Sequence, residues 1–172
     1  MKKLVRISIV STVQKYNTIV NSFAVPYNFN QYTSVTEESD LLPPGVKQSK
    51  ATESAVARGD FFIRADLTIK NNGDGTIGAL AVALTRFPVD EAYITIYLDR
   101  WDEESERWRQ VKYHEEEFYA EEGTEGLEMP TVDISFIDQP RGYYYRLRGS
   151  FSVVYKGNFE GFSPVTDGIL LD

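Results

Sequence analysis

The chain contains no cysteine, and histidine occurs only once, as His114. The first absence removes disulfides, thiolate nucleophiles, cysteine-ligated zinc and iron–sulfur clusters together. It leaves the compartment open, since cytosolic and exported chains alike can lack cysteine. The second means that any Ser-His-Asp arrangement has to use His114. Its neighbours, Tyr113 and Glu115-Glu116-Glu117, describe a solvated acidic stretch and no nucleophile elbow. Gly-x-Ser-x-Gly, His-Glu-x-x-His and a P-loop are missing as well. No run approaches the roughly 18 consecutive apolar residues of a spanning helix, so no transmembrane segment is expected. Catalytic, cofactor-binding and metal-binding residues are accordingly expected to be none.

Basic charge is also scarce. Lys and Arg number 18 against 26 Asp and Glu, a net charge of −8. That balance argues against nucleic acid as a partner. The imbalance sits in one segment: Asp102 to Glu128 holds eleven acids and three bases, and the remainder balances at fifteen of each. Paired carboxylates there would suit glycoside hydrolysis, but a segment so rich in acids always contains some pair at a workable separation. Calcium would need six to eight oxygens held by alternating Asp/Asn around a tight Gly turn, which this segment lacks. A solvated charge run is the preferred reading.

What the chain has in quantity is aromatic residues, 13% overall with 11 Tyr and 10 Phe, which favour strands. From Phe61 onward the sequence alternates with period two. Phe61, Ile63, Ala65, Leu67 and Ile69 fall on one face, and Asn71 to Gly75 is a turn. Thr76 to Phe87 is apolar on both faces, as in a central strand covered on its two sides. Ala92, Ile94, Ile96 and Leu98 alternate with Tyr93, Thr95, Tyr97 and Asp99. Asp102 to Ser105 makes a hairpin tip between Trp101 and Trp108, which are expected to pair across it. The acidic stretch Glu115 to Glu128 reads as a less regular crossing between sheets. Val132 to Phe136, Tyr143 to Tyr155 and Phe162 to Leu171 supply the remaining strands.

About seven strands, turns every 8 to 12 residues and no amphipathic helix predict an all-β antiparallel sandwich over residues 58–172. Residues 1–57 are expected to form an irregular N-terminal extension of leader plus linker, partly disordered. Met1-Lys2-Lys3 and the apolar Leu4 to Val10 resemble a secretory leader, interrupted by Arg6 and ended early by Gln14 to Asn17. A strand over Val5 to Val13 could dock on the domain. Pro43-Pro44-Gly45 breaks any regular element.

The segment Val132 to Gly149, with its short apolar strand, the Gln139-Pro140-Arg141-Gly142 turn and Tyr143-Tyr144-Tyr145-Arg146-Leu147-Arg148, resembles the E-to-F corner of a fibronectin type III or immunoglobulin-like sandwich. Gly157 to Val165 resembles the following F–G hairpin. The resemblance implies that Tyr143 or Tyr145 hydrogen-bonds back to the preceding turn. Arg58-Gly59-Asp60, Asn72 to Thr76, Arg141 to Gly149 and Thr166 to Ile169 together resemble a family of small exported proteins of Gram-positive bacteria, a domain of unknown function. That implies a secreted or cell-envelope location and supplies no activity. Arg58-Gly59-Asp60 also spells an adhesion tripeptide, but Asp60 abuts a strand and the match reads as coincidence.

One constellation stands out for binding. With Ile94, Ile96 and Leu98 inward, Tyr93 and Tyr97 point outward; with Tyr145 and Leu147 inward, Tyr144, Arg146 and Arg148 point outward. In an immunoglobulin-like order these strands are neighbours, so the five side chains would share a surface. The plainer alternative is Tyr on a solvent-facing strand covered by Arg. The functional expectation is a non-catalytic extracellular or cell-envelope interaction module for a protein or carbohydrate surface ligand. The alternatives are a small glycan-acting hydrolase using carboxylates of residues 102–128, and an intracellular structural or phage-associated protein in the cytoplasm.

Overall fold

The computed structural model describes residues 34–35, 37–54 and 60–172. The Val5 to Val13 strand and the Arg58-Gly59 pair lie outside the described residues. Among the described residues, alternating apolar positions fold into ten strands: β1 (Ser34–Val35), β2 (Gln48–Ser54), β3 (Phe62–Gly73), β4 (Thr76–Thr85), β5 (Glu91–Asp102), β6 (Arg107–Tyr119), β7 (Thr131–Phe136), β8 (Tyr143–Tyr155), β9 (Asn158–Phe162) and β10 (Ile169–Leu171). They form two antiparallel sheets, ordered β2-β3-β4-β7 and β1-β6-β5-β8-β10, with β9 also paired to β8. The protein is an all-β sandwich.

The inner faces follow from the period-two pattern. Leu67 and Ile69 of β3, Ile77 of β4, Ile94, Ile96 and Leu98 of β5, and Tyr145, Leu147 and Phe151 of β8 meet in one fully buried core. The hairpin turns use residues that tolerate positive φ: Asp74 and Gly75 between β3 and β4, Lys156 and Gly157 between β8 and β9. Trp101 and Trp108 do pair across the β5–β6 hairpin, with ring centroids 5.3 Å apart. At the turn before β8, the Tyr145 hydroxyl donates to the Pro140 carbonyl at 2.8 Å, so Tyr145, and not Tyr143, closes the corner. Tyr145→Phe is expected to lower unfolding free energy by about 1 kcal/mol, read by urea denaturation, because the partly buried carbonyl loses its donor.

Several expectations need correction. A β-bulge between Phe62 and Arg64 inserts one residue into β3 and flips the alternation. Phe62 is therefore buried against Phe162, centroids 4.6 Å apart, while Ile63 is exposed. β4 is covered on one face only, since Leu80 on its other face is 39% exposed. Its outward apolar residues reflect strand propensity and no second covering layer. The acidic stretch is regular through Tyr119, where β6 ends. Beyond it the chain crosses to β7, pinned by Leu127 N–H donating to the Val89 carbonyl at 2.8 Å. The last strand is broken: β9 ends at Phe162 and β10 begins at Ile169.

The expected start at residue 58 also misses part of the sandwich. β2 pairs residue for residue with β3, from Gln48 opposite Lys70 to Ser54 opposite Arg64. Before it, residues 37–42 run as a strap from the β6 edge to the β10 edge. β1 pairs with β6 opposite Trp108 and Arg109. At the other end Leu42 N–H donates to the Gly168 carbonyl at 2.9 Å, and Gly168 N–H to the Asp40 carbonyl at 2.8 Å. Gly168 is required there: a Cβ would stand 2.6 Å from the Trp108 indole.

Candidate functional site: an aromatic sheet face divided by a strap

The strap settles where the five expected face residues stand. Tyr97 lies opposite Arg148, Asp99 opposite Arg146, and Tyr93 opposite Ser152, so all project from the outer side of β5 and β8 as the alternation demands. Arg146 nevertheless is fully buried, as is Asp99. The strap closes over them: Arg146 Nη1 donates to the Glu37 carbonyl at 2.7 Å and to Ser39 Oγ at 2.9 Å. The Arg146 guanidinium also stacks on the Trp108 ring at 4.5 Å. Arg146 is thus structural, because a backbone segment the side-chain pattern does not reveal removes it from solvent. Burial pulls its guanidinium below the ordinary range, against the opposing attraction of Asp99.

Asp99 is the hub of this cluster. It accepts from Arg146 Nε at 3.1 Å and, through both oxygens, from Arg148 Nε at 2.7 Å and Nη2 at 3.2 Å. Arg148 further donates to Gln110 at 3.1 Å and lies over the Tyr97 ring at 4.8 Å. Its charge is therefore engaged from below while its plane orients a tyrosine. Tyr144 sits on the far side of the strap, paired with Leu170 of β10, and is not brought to Tyr93 and Tyr97.

On the uncovered side the face is larger than expected. β6 contributes Tyr113 opposite Tyr97, and Tyr119 opposite Glu91. The Tyr97–Tyr113 centroids are 6.5 Å apart, and Tyr93 meets Tyr119 edge-on at 6.0 Å. Phe159 of β9, opposite Val154, extends the face across β8 and is 67% exposed. Its ring lies over Gly161, 3.4 Å from where a Cβ would stand. A side chain at Gly161 would meet the tip of this ring and, closer still, the Phe151 carbonyl. Between the two aromatic ends the surface drops to Thr95, Ser150 and Ser152. Tyr113 and Tyr119 were legible from their spacing, two tyrosines in phase with Glu115 and Glu117, but the acids dominate that stretch. Phe159 had no such signal.

Three carboxylates share the face. Glu91 accepts from the Tyr93 hydroxyl, Glu117 accepts from Tyr119 at 2.6 Å, and Glu115 stands opposite Thr95. Holding the proton between carboxylate and phenol raises the pKa of Tyr93, first through Glu91 and then through Tyr119. The Glu117 hydrogen bond likewise raises that of Tyr119. A raised folded-state value means the contribution to stability is present below the ordinary tyrosine range and lost as pH rises through the folded value. Spectrophotometric alkaline titration should therefore show a phenol component ionising well above pH 10. Tyr93→Phe is expected to diminish it, leaving the raised phenols of Tyr119 and the buried Tyr145.

The other candidates fare differently. His114 Nε2 lies 3.0 Å from Glu116 on the opposite side of β6 from Tyr113. Glu103, Glu104, Glu106, Glu115, Glu116, Glu117, Glu121, Glu122, Glu125 and Glu128 are all exposed. Among the described residues no group of three or more His, Asp or Glu is arranged to hold a metal, and no helix is long and apolar enough to cross a membrane. Asp60 N–H donates to Glu160 at 2.7 Å, which ties the third letter of the adhesion tripeptide to the sandwich. No protein-family model matches this chain and no curated protein matches it in sequence, so the resemblance to the exported family rests on the motifs quoted above.

Proposed function

We propose that this chain is a non-catalytic interaction module of the fibronectin type III or immunoglobulin-like kind, working outside the cell or in its envelope. The observation that carries the reading is the open outer face of β6-β5-β8-β9. It presents five aromatic rings, three of them more than half exposed, on a rigid sheet whose inner side is the core. Large rings held on ordered backbone lose little entropy on binding, which is why aromatics dominate binding hot spots. The finer fold assignment is supported by β3-β4-β7 lying against β6-β5-β8-β10, the order of an A-B-E sheet facing C′-C-F-G, and by the Tyr145 corner. The exposed glutamates of residues 102–128 favour binding over hydrolysis, since a glycosidase needs one carboxyl with a raised pKa. The basic, apolar start of the chain is what supports export.

Hydroxyl-radical footprinting checks the reading. Protein labelled in native envelope and medium fractions should show Tyr113, Tyr119 and Phe159 protected relative to the purified protein. Equal labelling of those rings in both states, or protection confined to the outer side of β2-β3-β4-β7, would overturn it.

A further inference from the structure

We infer that the occupant of this face is a neutral polysaccharide chain. The inference rests on the reading of the face as a binding surface and adds the chemical class of ligand.

Charge excludes an anionic ligand, and size and chemistry point to the sugar. Among the described residues the face carries Glu91, Glu115 and Glu117 and the cation Arg148, which is already paired with Asp99. An anionic glycan or a phosphate-bearing polymer would meet like charge there. A neutral sugar meets good acceptors, since each carboxylate can take hydrogen bonds from sugar hydroxyls.

Size argues against a folded protein. Four adjacent strands and the seven residues from Glu91 to Tyr97 define a platform of about 14 Å by 20 Å, or about 280 Å², from standard strand spacing and rise. A stable protein interface buries about 800 Å² on each partner. The strap bounds the platform at Arg148, whose Nη1 lies 3.9 Å from the Glu37 carboxylate, and prevents its extension toward Tyr144. The area suits a short run of linked sugar rings.

The layout supplies what such a chain needs. Phe159, beside Gly161 and 67% exposed, offers a ring face for the C–H side of a sugar, and Tyr113, packed on Tyr97, does the same at the other end. Thr95, Ser150 and Ser152 place hydroxyls between them. Apolar platforms flanking a polar trough match a chain whose units each have an apolar face and a polar rim.

Affinity electrophoresis of the full chain tests this. Native gels containing glucomannan, soluble starch or laminarin are compared with gels containing polygalacturonate, and with a separate titration of polylysine. The expected result is retardation by at least one neutral polysaccharide and none by polygalacturonate. Tyr113→Ala/Phe159→Ala, both exposed and so tolerated by the fold, should weaken that retardation by about tenfold or more, two stacking contacts' worth. Thr131→Ala, on the opposite sheet, should leave it unchanged. Absence of retardation in every neutral gel overturns the proposal. So does stronger retardation by polygalacturonate, or polylysine binding that the double variant abolishes while neutral gels stay silent. In that last case the face remains a binding surface and only the ligand class fails. Neutral retardation that the double variant leaves intact overturns the assignment to this face as well.

Discussion

Asp99→Ala is expected to lower the unfolding free energy by about 3–5 kcal/mol, the usual consequence of breaking a buried ion pair by removing one partner. The remaining guanidiniums cause most of the loss. Arg146 is fully buried and Arg148 is mostly so, with its side chain 16% exposed. Without Asp99, Arg146 keeps the Glu37 carbonyl, the Ser39 hydroxyl and the Trp108 ring, and the Glu37 carboxylate, half exposed, is the opposing charge that remains. For a chain of this size the loss corresponds to a fall in Tm of roughly 10 °C. Arg146→Met provides the contrast: it removes a buried charge while Asp99 stays paired with Arg148, so it should be much milder. Urea or thermal denaturation of both variants decides the matter. Equal losses would show that the arginine stack on Trp108, and no charge balance, holds this region together.

The second large effect lies in the core, where β3 and β8 meet. Leu67→Ala removes a fully buried side chain and is expected to destabilise by about 2–5 kcal/mol, depending on how far the site collapses. Gly149→Ala errs in the opposite direction at the same place. Its Cβ would stand 2.4 Å from the Phe151 ring and 3.3 Å from Leu67 Cδ2, so Phe151 must leave its position, at about 1–3 kcal/mol. Because the Leu67 truncation vacates the space into which Phe151 would be pushed, the double variant should lose less than the sum of the two. Chemical denaturation of the three variants measures the coupling. Strict additivity would show that the ring relaxes in another direction.

These sites also show what the sequence does and does not reveal. β5 is the clear case: Ala92, Ile94, Ile96 and Leu98 alternate without interruption, and every one is buried. β3 begins with the same alternation, but one inserted residue at the bulge reverses Phe62 and Ile63, and composition carries no sign of it. The strap is harder still. Glu37, Glu38, Ser39 and Asp40 read as a solvated linker, yet a backbone carbonyl and a hydroxyl of this stretch bind Arg146. Backbone groups are present at every residue, so no pattern of side chains marks the ones that matter. The candidate face was half legible for the same reason. Parity placed Tyr93, Tyr97 and Arg148 correctly, while the strap decided the fate of Arg146 and Tyr144 from a distance in sequence. Phe159 stands beside a glycine two residues away, a contact that only the folded strand brings about.

That distance in sequence sets an order of events. The Asp40 N–H that anchors the strap binds the carboxylate of Asp167, 127 residues later in the chain. On a ribosome, which releases the N-terminal portion first, residues 37–42 emerge long before the strand ends they fasten. Long-range closures of this kind come late, because the intervening loop must be ordered before the contact repays it. Until Asp167 and Gly168 are made, the Asp40 and Leu42 end of the strap has no partner to fasten to. The strap then acts as a latch that closes only after the strand ends it fastens have been made, and a chain stalled short of Asp167 would leave its Asp40 end unfastened.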